Sequence, residues 1–188
     1  MGNQKAEMFN RKASDPKNKP EQVLEALKLR TGDNVLDIGA GGGYFSLRFA
    51  NLVWPDGKVY AADVNREFLQ LIKETVEKSE LANVQTMLVE NDGVSLTEKS
   101  IDLVFMRNVY HHLPKRVDYF RRLGEVLKPD GRIAIIEYSP GGFSIFRRLF
   151  GHHTPKGTII KEMEEAGYKP TQDFDFLPEQ SFTIFVKK

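Results

Sequence analysis

Apolar residues recur along this chain in two alternating patterns, namely short continuous runs and longer runs with helical spacing. The continuous runs predict strands at residues 35–38, 59–63, 84–89, 101–106 and 132–137. The spaced runs predict helices at about 21–29, 44–53, 66–79 and 115–127. The last of these strands follows a Lys-Pro-Asp-Gly sequence at 128–131, which predicts a turn. Continuous apolar strands that alternate with helices are typical of a parallel sheet covered on both faces, so the pattern predicts an α/β fold.

The C-terminal part of the chain has the signals of one more helix and a hairpin. Thr154 can cap a helix, Pro155 fits its first turn, and Gly167 is a typical residue just after a helix end. Two segments at about 171–177 and 182–186, separated by a Pro-Glu turn, follow this helix. They predict a hairpin that adds an antiparallel edge to the sheet.

The N-terminal segment differs in character from the rest of the chain. Residues 1–20 are polar and contain Pro16 and Pro20. We expect a flexible segment there, either a lead-in or a lid. The length of 188 residues favours a single domain, which we place at residues 21–188.

Composition narrows the classes of function. The chain has no cysteine, which fits a reducing compartment and removes thiolate mechanisms and cysteine-ligated metals. The net charge of +1 supplies no strong field for nucleic acid or an anionic membrane. The apolar runs are far shorter than the ~20 residues of a membrane span. We therefore expect a soluble, cytoplasmic protein whose oligomeric state is open.

A glycine-rich loop, Gly39–Gly43, lies between the first strand and the helix after it. Ligands of such sheets bind beyond the carboxyl ends of the strands, and glycines let the backbone approach a ligand closely. The dinucleotide fingerprint fits poorly, because its third small position falls on Tyr44 or Ser46. Asp37, just ahead of the glycines, would also repel a pyrophosphate. A nicotinamide-dependent oxidoreductase is therefore kept only as an alternative.

Acidic residues follow the first three predicted strands. Asp63 ends the second strand, where a carboxylate can accept hydrogen bonds from both hydroxyls of a ribose. Asp92 follows the third strand, where a side-chain acceptor can bind an adenine amino group. Together with Asp37, these acids suit a nucleoside that carries a positive charge. S-adenosylmethionine, with its adenosine, sulfonium and amino group, is such a molecule.

The chain resembles the class I S-adenosylmethionine-dependent methyltransferases over about residues 20–188. The resemblance lies in four motifs that occur in the family's order, VLDIGAGGGYFS, VYAADV, IDLVFMRNVYHHL and LKPDGRIAIIEY. It is strongest to the small-molecule branch that includes quinone and sterol methyltransferases. It implies a Rossmann-like, doubly wound, mostly parallel seven-stranded sheet with a reversed last strand. It also implies S-adenosylmethionine as methyl donor and S-adenosylhomocysteine as product.

The resemblance also implies roles for individual residues. The glycine loop would line the methionine part of the cofactor, with Asp37 near its amino group. Asp63 would hold the ribose, residues 91–93 would surround the adenine, and residues 107–108 would offer backbone contacts near the methionine end. The implied cofactor-binding residues are Asp37, Gly39, Ala40, Gly41, Gly43, Asp63, Val64, Asn91, Asp92, Gly93, Arg107 and Asn108.

Candidates for catalysis are fewer, because an activated sulfonium needs mainly positioning and exclusion of water. A general base is required only if the acceptor must lose a proton. The candidates are His111, which follows the fourth predicted strand, and Glu137 and Tyr138, which end the fifth, although a structural role is equally open for each of them. The histidines occur as two adjacent pairs whose rings diverge, and no His-Glu-x-x-His is present, so we predict no metal site.

The acceptor is predicted to be a small, partly apolar organic molecule. Residues 139–153 contain three Phe, one Ile and one Leu and follow the fifth strand, so they could roof a pocket together with Met8 and Phe9, or pack on the core. The sequence RNVYHHL does not resemble the Asp/Asn-Pro-Pro-aromatic motif of nucleic-acid amino-methyltransferases. A non-catalytic module that binds S-adenosylmethionine is the second alternative.

Overall fold

The computed structural model describes residues 2–89, 94–139 and 153–188. The helices in these ranges are α1 (Gly2–Ser14), α2 (Pro20–Leu27), α3 (Tyr44–Val53), α4 (Arg66–Lys78), α5 (Arg116–Val126) and α6 (Lys156–Glu165), with short 3₁₀ helices at Pro16–Asn18 and Tyr110–His112. The strands are β1 (Val35–Ile38), β2 (Val59–Asp63), β3 (Val84–Leu88), β4 (Ile101–Arg107), β5 (Leu127–Tyr138), β6 (Tyr168–Phe174) and β7 (Gln180–Lys187). No helix in these ranges has the length and apolar character needed to cross a bilayer.

The strands form a seven-stranded sheet in the order β3-β2-β1-β4-β5-β7-β6. β2 is parallel to β1 and β3, and β4 is parallel to β5. β7 runs antiparallel to both β5 and β6. The predicted α/β, Rossmann-like fold with an antiparallel C-terminal hairpin is confirmed. The chain divides into two compact units, Met1–Val94 and Ser95–Lys188, which are described in turn.

The first unit is built on β1, β2 and β3, with α3 and α4 packed against them. The helix α4 begins where the Asn65 side chain accepts a hydrogen bond from the Glu67 N–H at 2.9 Å, as an N-cap residue does. Its apolar face buries Leu69 and Ile72 against Ala61 of β2. This packing places α4 against β2, next to Ala40 of the glycine loop.

The helix α1 occupies the stretch for which the sequence predicted flexibility. Ala6 is fully buried, and the Phe9 ring meets the Phe68 ring edge-on at 5.7 Å between centroids. The helix packs against α3 and α4. Its apolar stripe consists largely of two alanines and one phenylalanine among polar residues, so the periodicity is too weak to predict a helix. A role as a lid stays a prediction.

In the second unit β5 is longer than predicted. It begins at Leu127, which lies opposite Ile101, whereas Arg132 lies opposite Leu103. The predicted turn at 128–131 is therefore an irregularity within the strand, because the residues on both sides of it stay paired with β4. Lys128 reinforces the pairing through hydrogen bonds to the Asp102 carboxylate at 2.7 and 2.8 Å.

The C-terminal elements also differ in detail from the prediction. The helix α6 begins at Lys156, with Pro155 as its N-cap residue and no side-chain cap. Thr154, the predicted cap, is instead buried. Gly167 follows the C-cap residue with a φ of +99°, as predicted for the residue after the helix. The strand β6 begins at Tyr168, ahead of the predicted start, because this ring is buried and its hydroxyl donates to the Phe120 carbonyl at 2.9 Å.

Two buried tyrosines of the second unit provide a matched test of its packing. Replacing Tyr168 with Phe removes the bond to the Phe120 carbonyl and should lower the free energy of unfolding by roughly 1 kcal/mol. Tyr119 is the control, because its buried hydroxyl has no hydrogen-bond partner among the described residues. Tyr119→Phe should leave the free energy of unfolding unchanged or raise it. Urea unfolding midpoints measure both effects. Equal losses of stability in the two variants would show that the hydrogen bond of Tyr168 makes no contribution of its own.

Candidate functional site

The glycine loop is a tight turn anchored to the end of β2. The N–H groups of Gly39 and Ala40 both donate to the Ala62 carbonyl, at 2.8 and 3.1 Å, and the Gly43 N–H donates back to the Ala40 carbonyl at 2.9 Å. Gly41 and Gly43 have φ of +56° and +83°, in the left-handed region that residues with a Cβ rarely adopt. The loop therefore requires glycine for its backbone path.

Close packing leaves no room for a side chain at two of the glycines. The sequence had suggested only that glycine lets a ligand approach the loop closely. A Cβ on Gly42 would overlap the Asn10 side chain and would come within 2.5 Å of the Ala6 carbonyl oxygen. A Cβ on Gly43 would lie 2.7 Å from Ile72 Cγ1. Because these two residues have no side chain, α1 and α4 pack directly against the backbone of the loop.

Asp63 lies at the end of β2 with its carboxylate directed at the glycine loop. Its Oδ2 accepts from the Gly41 N–H and its Oδ1 from the Asn65 N–H, both at 2.9 Å. A carboxylate has about four acceptor positions, so these bonds leave capacity for two further donors. The arrangement is compatible with the predicted binding of two ribose hydroxyls. Val64, the next residue, is 76% exposed.

Asp37 of β1 is a buried acid with a raised pKa. Only 3% of the residue is exposed, and its Oδ2 accepts a hydrogen bond from Ser46 Oγ at 2.5 Å. The pKa of Asp37 is raised to about 7, mainly by burial and also by the charge of Asp63, whereas the hydrogen bond from Ser46 acts in the opposite direction. A cationic ligand group beside this carboxyl would favour its ionised form.

In the second unit, Asn108 follows β4 in a left-handed conformation with a φ of +57°. Its N–H donates to the Ile136 carbonyl at 2.8 Å, and its Oδ1 accepts from Gln180 Nε2 at 2.7 Å. Gln180 is buried at the start of β7. The sequence did not indicate this residue, because it lies 72 positions from its partner. Arg107 is the last residue of β4.

The three candidates for catalysis come together around the carboxylate of Glu137. This side chain is fully buried, and its Oε1 lies 3.0 Å from His111 Nδ1. The backbone N–H groups of His111 and Tyr138 donate to the same carboxylate at 3.3 and 2.9 Å. A histidine that donates from Nδ1 to a carboxylate has its tautomer and ring orientation determined, with Nε2 as the acceptor nitrogen.

The remaining predicted site residues lie outside the described ranges. They are Asn91, Asp92, Gly93 and the apolar residues of 140–152. Within those ranges, no group of three or more histidine, aspartate or glutamate side chains is arranged to hold a metal ion. The described part of the site consists of the glycine loop with Asp37 and Asp63, and separately the Glu137 cluster.

A family model described as a methyltransferase domain matches residues 29–175, and the chain belongs to this family. The predicted class, an S-adenosylmethionine-dependent methyltransferase domain, is confirmed, and the nicotinamide-dependent alternative is not supported. A solved S-adenosylmethionine-dependent methyltransferase from Aquifex aeolicus is 26% identical, with a TM-score of 0.81 over 95% of this chain and 96% of that one.

Curated relatives are similar over part of their length. The ubiquinone/menaquinone biosynthesis C-methyltransferase UbiE of Ectopseudomonas mendocina (strain ymp) is 30% identical over 158 residues, which are 81% of this chain and 58% of the relative. An arsenite methyltransferase of Halobacterium salinarum is 33% identical over 104 residues, covering 55% of this chain and 27% of the relative. The chain thus spans about half the length of the curated relatives it matches.

The buried carboxyl of Asp37 predicts a proton release when the cofactor binds. With a pKa of about 7 the group is mostly neutral at pH 6, and it must ionise to pair with the amino group of S-adenosylhomocysteine. Affinity should fall about tenfold for each pH unit below 7. Titration calorimetry in buffers of different ionisation enthalpy should detect roughly one proton released near pH 6 and little near pH 8.5.

Two variants control this measurement. Asp37→Asn should abolish both the proton release and the dependence of affinity on pH. Ser46→Ala removes the hydrogen bond that lowers the Asp37 pKa, so it should move the midpoint of the affinity profile to higher pH. An affinity for S-adenosylhomocysteine that is independent of pH between 5.5 and 8.5 would show that Asp37 does not pair with the ligand.

Asp63 is predicted to bind the ribose as well as the loop. Asp63→Ala should weaken the binding of S-adenosylhomocysteine at least about tenfold, because charged hydrogen bonds contribute roughly 1.5–3 kcal/mol each. The wild type should also prefer S-adenosylhomocysteine over its 2′,3′-dideoxy analogue, and the variant should lose that preference. A variant that binds weakly but keeps the full preference would show that Asp63 holds the Gly41 N–H and does not bind the ribose hydroxyls.

Proposed function

We propose that this domain transfers the methyl group of S-adenosylmethionine to a small, partly apolar organic acceptor. The observation that carries the proposal is the pair of buried carboxyls, Asp37 and Asp63, on either side of a glycine loop at the carboxyl ends of β1 and β2. Membership of the methyltransferase domain family and the similarity to the Aquifex aeolicus enzyme support it.

On this proposal the residues of the chain bind and orient the cofactor, whose sulfonium supplies an activated methyl group. Asp37 holds the amino group of the methionine part, the glycine loop lines that part, and Asp63 accepts from the ribose hydroxyls. Residues 91–93 surround the adenine, and backbone groups of Arg107 and Asn108 contact the methionine end. These roles come from the resemblance together with the geometry around Gly41.

For the acceptor, we propose a ring carbon activated by a neighbouring hydroxyl. The name of the UbiE relative, a C-methyltransferase of ubiquinone and menaquinone biosynthesis, supports this choice. Arsenite is less suited to this chain, because arsenite methyltransferases use cysteines and the chain has none.

We further propose that His111 is the general base and Glu137 orients it. Proton removal from the acceptor hydroxyl by His111 would allow the ring carbon to attack the methyl group, while the carbon–sulfur bond breaks and its electrons pass to sulfur. The ring carbon then loses its own proton to water, which restores aromaticity, and the product oxygen regains a proton from the His111 imidazolium. Glu137 determines the tautomer of His111, and Tyr138 contributes its backbone N–H to the same carboxylate.

Transfer of labelled methyl groups tests the proposed activity. The purified protein, incubated with S-adenosylmethionine labelled in its methyl group and a panel of phenols, quinols and a metabolite extract, should label at least one small molecule. A thermal-shift screen with S-adenosylhomocysteine and NAD accompanies the assay, and only the former should stabilise the protein. Cofactor binding without transfer to any member of the panel would favour a non-catalytic binding module.

The role of His111 has a matched control next to it in the chain. His111→Ala should lower kcat roughly 10²–10³-fold and leave the Kd for S-adenosylhomocysteine within about threefold, because a base acts in the chemical step. His112, whose ring lies 4.0 Å from that of His111 between centroids, is exposed, and His112→Ala should retain nearly full kcat. Equal losses in the two variants would indicate a packing role for the pair.

A further inference from the structure

The helix α3 begins directly after the glycine loop, at a residue with no side chain to cap it. Its N-cap residue is Gly43, and the helix has no side-chain cap hydrogen bond of its own. The first N–H group of the helix, that of Tyr44, instead donates to Asn10 Oδ1 at 3.1 Å. The cap is therefore supplied by α1, from a residue 34 positions earlier in the chain.

The other end of the same side chain binds the glycine loop itself. Asn10 Nδ2 donates to the Gly42 carbonyl at 2.8 Å. One planar amide thus bridges a carbonyl that needs a donor and an N–H that needs an acceptor, on the two sides of Gly43. An aspartate in place of Asn10 would direct a second acceptor at the Gly42 carbonyl, and an alanine would leave both groups without this partner.

Residues of α1 on either side of Asn10 pack closely against the loop. Gly42 has no room for a Cβ because the Ala6 carbonyl oxygen would be 2.5 Å away. The Phe9 ring would contact a Cβ on Gly41 at 3.5 Å, and Phe9 is itself held by the ring of Phe68 in α4. The bridge from Asn10 is therefore part of a close contact that involves a fully buried Ala6.

The loop that Asn10 holds is the same one that Asp63 binds through the Gly41 N–H. Its backbone is thus held from the β2 side by a carboxylate and from the α1 side by an amide. We propose that Asn10 is a positioning residue that couples the docking of α1 to cofactor affinity, by keeping the glycine loop and the start of α3 in the binding geometry. The proposal rests on the proposed placement of the cofactor at this loop.

Reciprocal coupling follows from this arrangement. If docked α1 strengthens cofactor binding, the bound cofactor must stabilise docked α1 by the same factor. Hydrogen exchange measured by mass spectrometry on the wild-type protein should then show slower exchange in residues 2–14 when S-adenosylhomocysteine is added. This measurement needs no variant, so it tests the proposal even if substitutions at Asn10 impair folding.

Variants at Asn10 test the same coupling through affinity. Asn10→Ala should raise the Kd for S-adenosylhomocysteine and the KM for S-adenosylmethionine by about fivefold to tenfold, a factor in keeping with the loss of one helix cap. Asn10→Asp should weaken binding at least as much, whereas kcat at saturating cofactor should stay within about twofold, because Asn10 orients the loop and does not react. In Asn10→Ala the slowing of exchange in residues 2–14 should largely disappear.

Asn51 provides the matched control, because it is an exposed asparagine on α3 whose Nδ2 donates to the Leu47 carbonyl at 3.0 Å within the same helix. Asn51→Ala should leave the Kd unchanged. A folded Asn10→Ala protein with wild-type Kd, or unchanged exchange of residues 2–14 with ligand, would overturn the proposal. Cofactor binding without any methyl transfer would remove the proposed function alone, whereas unchanged affinity in an active Asn10→Ala enzyme would remove this inference alone.

Discussion

The hydrogen bond from the Gly41 N–H to the Asp63 carboxylate, 2.9 Å long and buried, ties the loop after β1 to the end of β2. The loop has a left-handed backbone at Gly41, so its path depends on partners that hold it in place. Asp63 and the Ala62 carbonyl supply partners from the sheet. Asn10 supplies further partners from α1, to the Gly42 carbonyl and the Tyr44 N–H. The geometry of the proposed cofactor site therefore depends on side chains that lie outside the glycine motif itself.

Burial of acids is the second physical feature of the site. Burial and the neighbouring charge of Asp63 together raise the pKa of Asp37 to about 7, against the hydrogen bond from Ser46, which lowers it. Two carboxyls in this position favour a ligand that brings a positive charge, since such a ligand offsets both the loss of hydration and the mutual repulsion. The two carboxyls therefore suit S-adenosylmethionine, which carries a positive sulfonium and an amino group.

The second unit uses a buried carboxylate in a similar way. Glu137 at the end of β5 accepts hydrogen bonds from the backbone of His111 and Tyr138 and contacts the ring of His111, just as Asp63 at the end of β2 accepts from Gly41 and Asn65. In both units an acid at the carboxyl end of a strand organises a neighbouring turn through backbone N–H groups. Each acid can thus serve the local structure and the proposed chemistry together.

The sequence by itself determined the elements whose signals are local. The bounds of β1, α3 and β2 follow from short apolar runs and a glycine motif, and the structure has them as predicted. Asp37, Asp63, His111 and Glu137 were predicted as site residues from their position at or after strand ends, because strand ends in a parallel sheet lie at one edge whatever the details of packing. Their roles stay predictions.

Only the tertiary structure decided which distant residues hold these elements. The helix α1 has a weak apolar stripe and is ordered by its contacts with α3 and α4, so its own sequence did not predict it. Asn10 and Gln180 bind turns that lie 32 and 72 residues away from them, and no local pattern marks such partners. The start of β5 was likewise decided by pairing with β4 across a turn-like sequence. Local propensity describes a segment alone, whereas a hydrogen bond between distant residues exists only once the chain has folded.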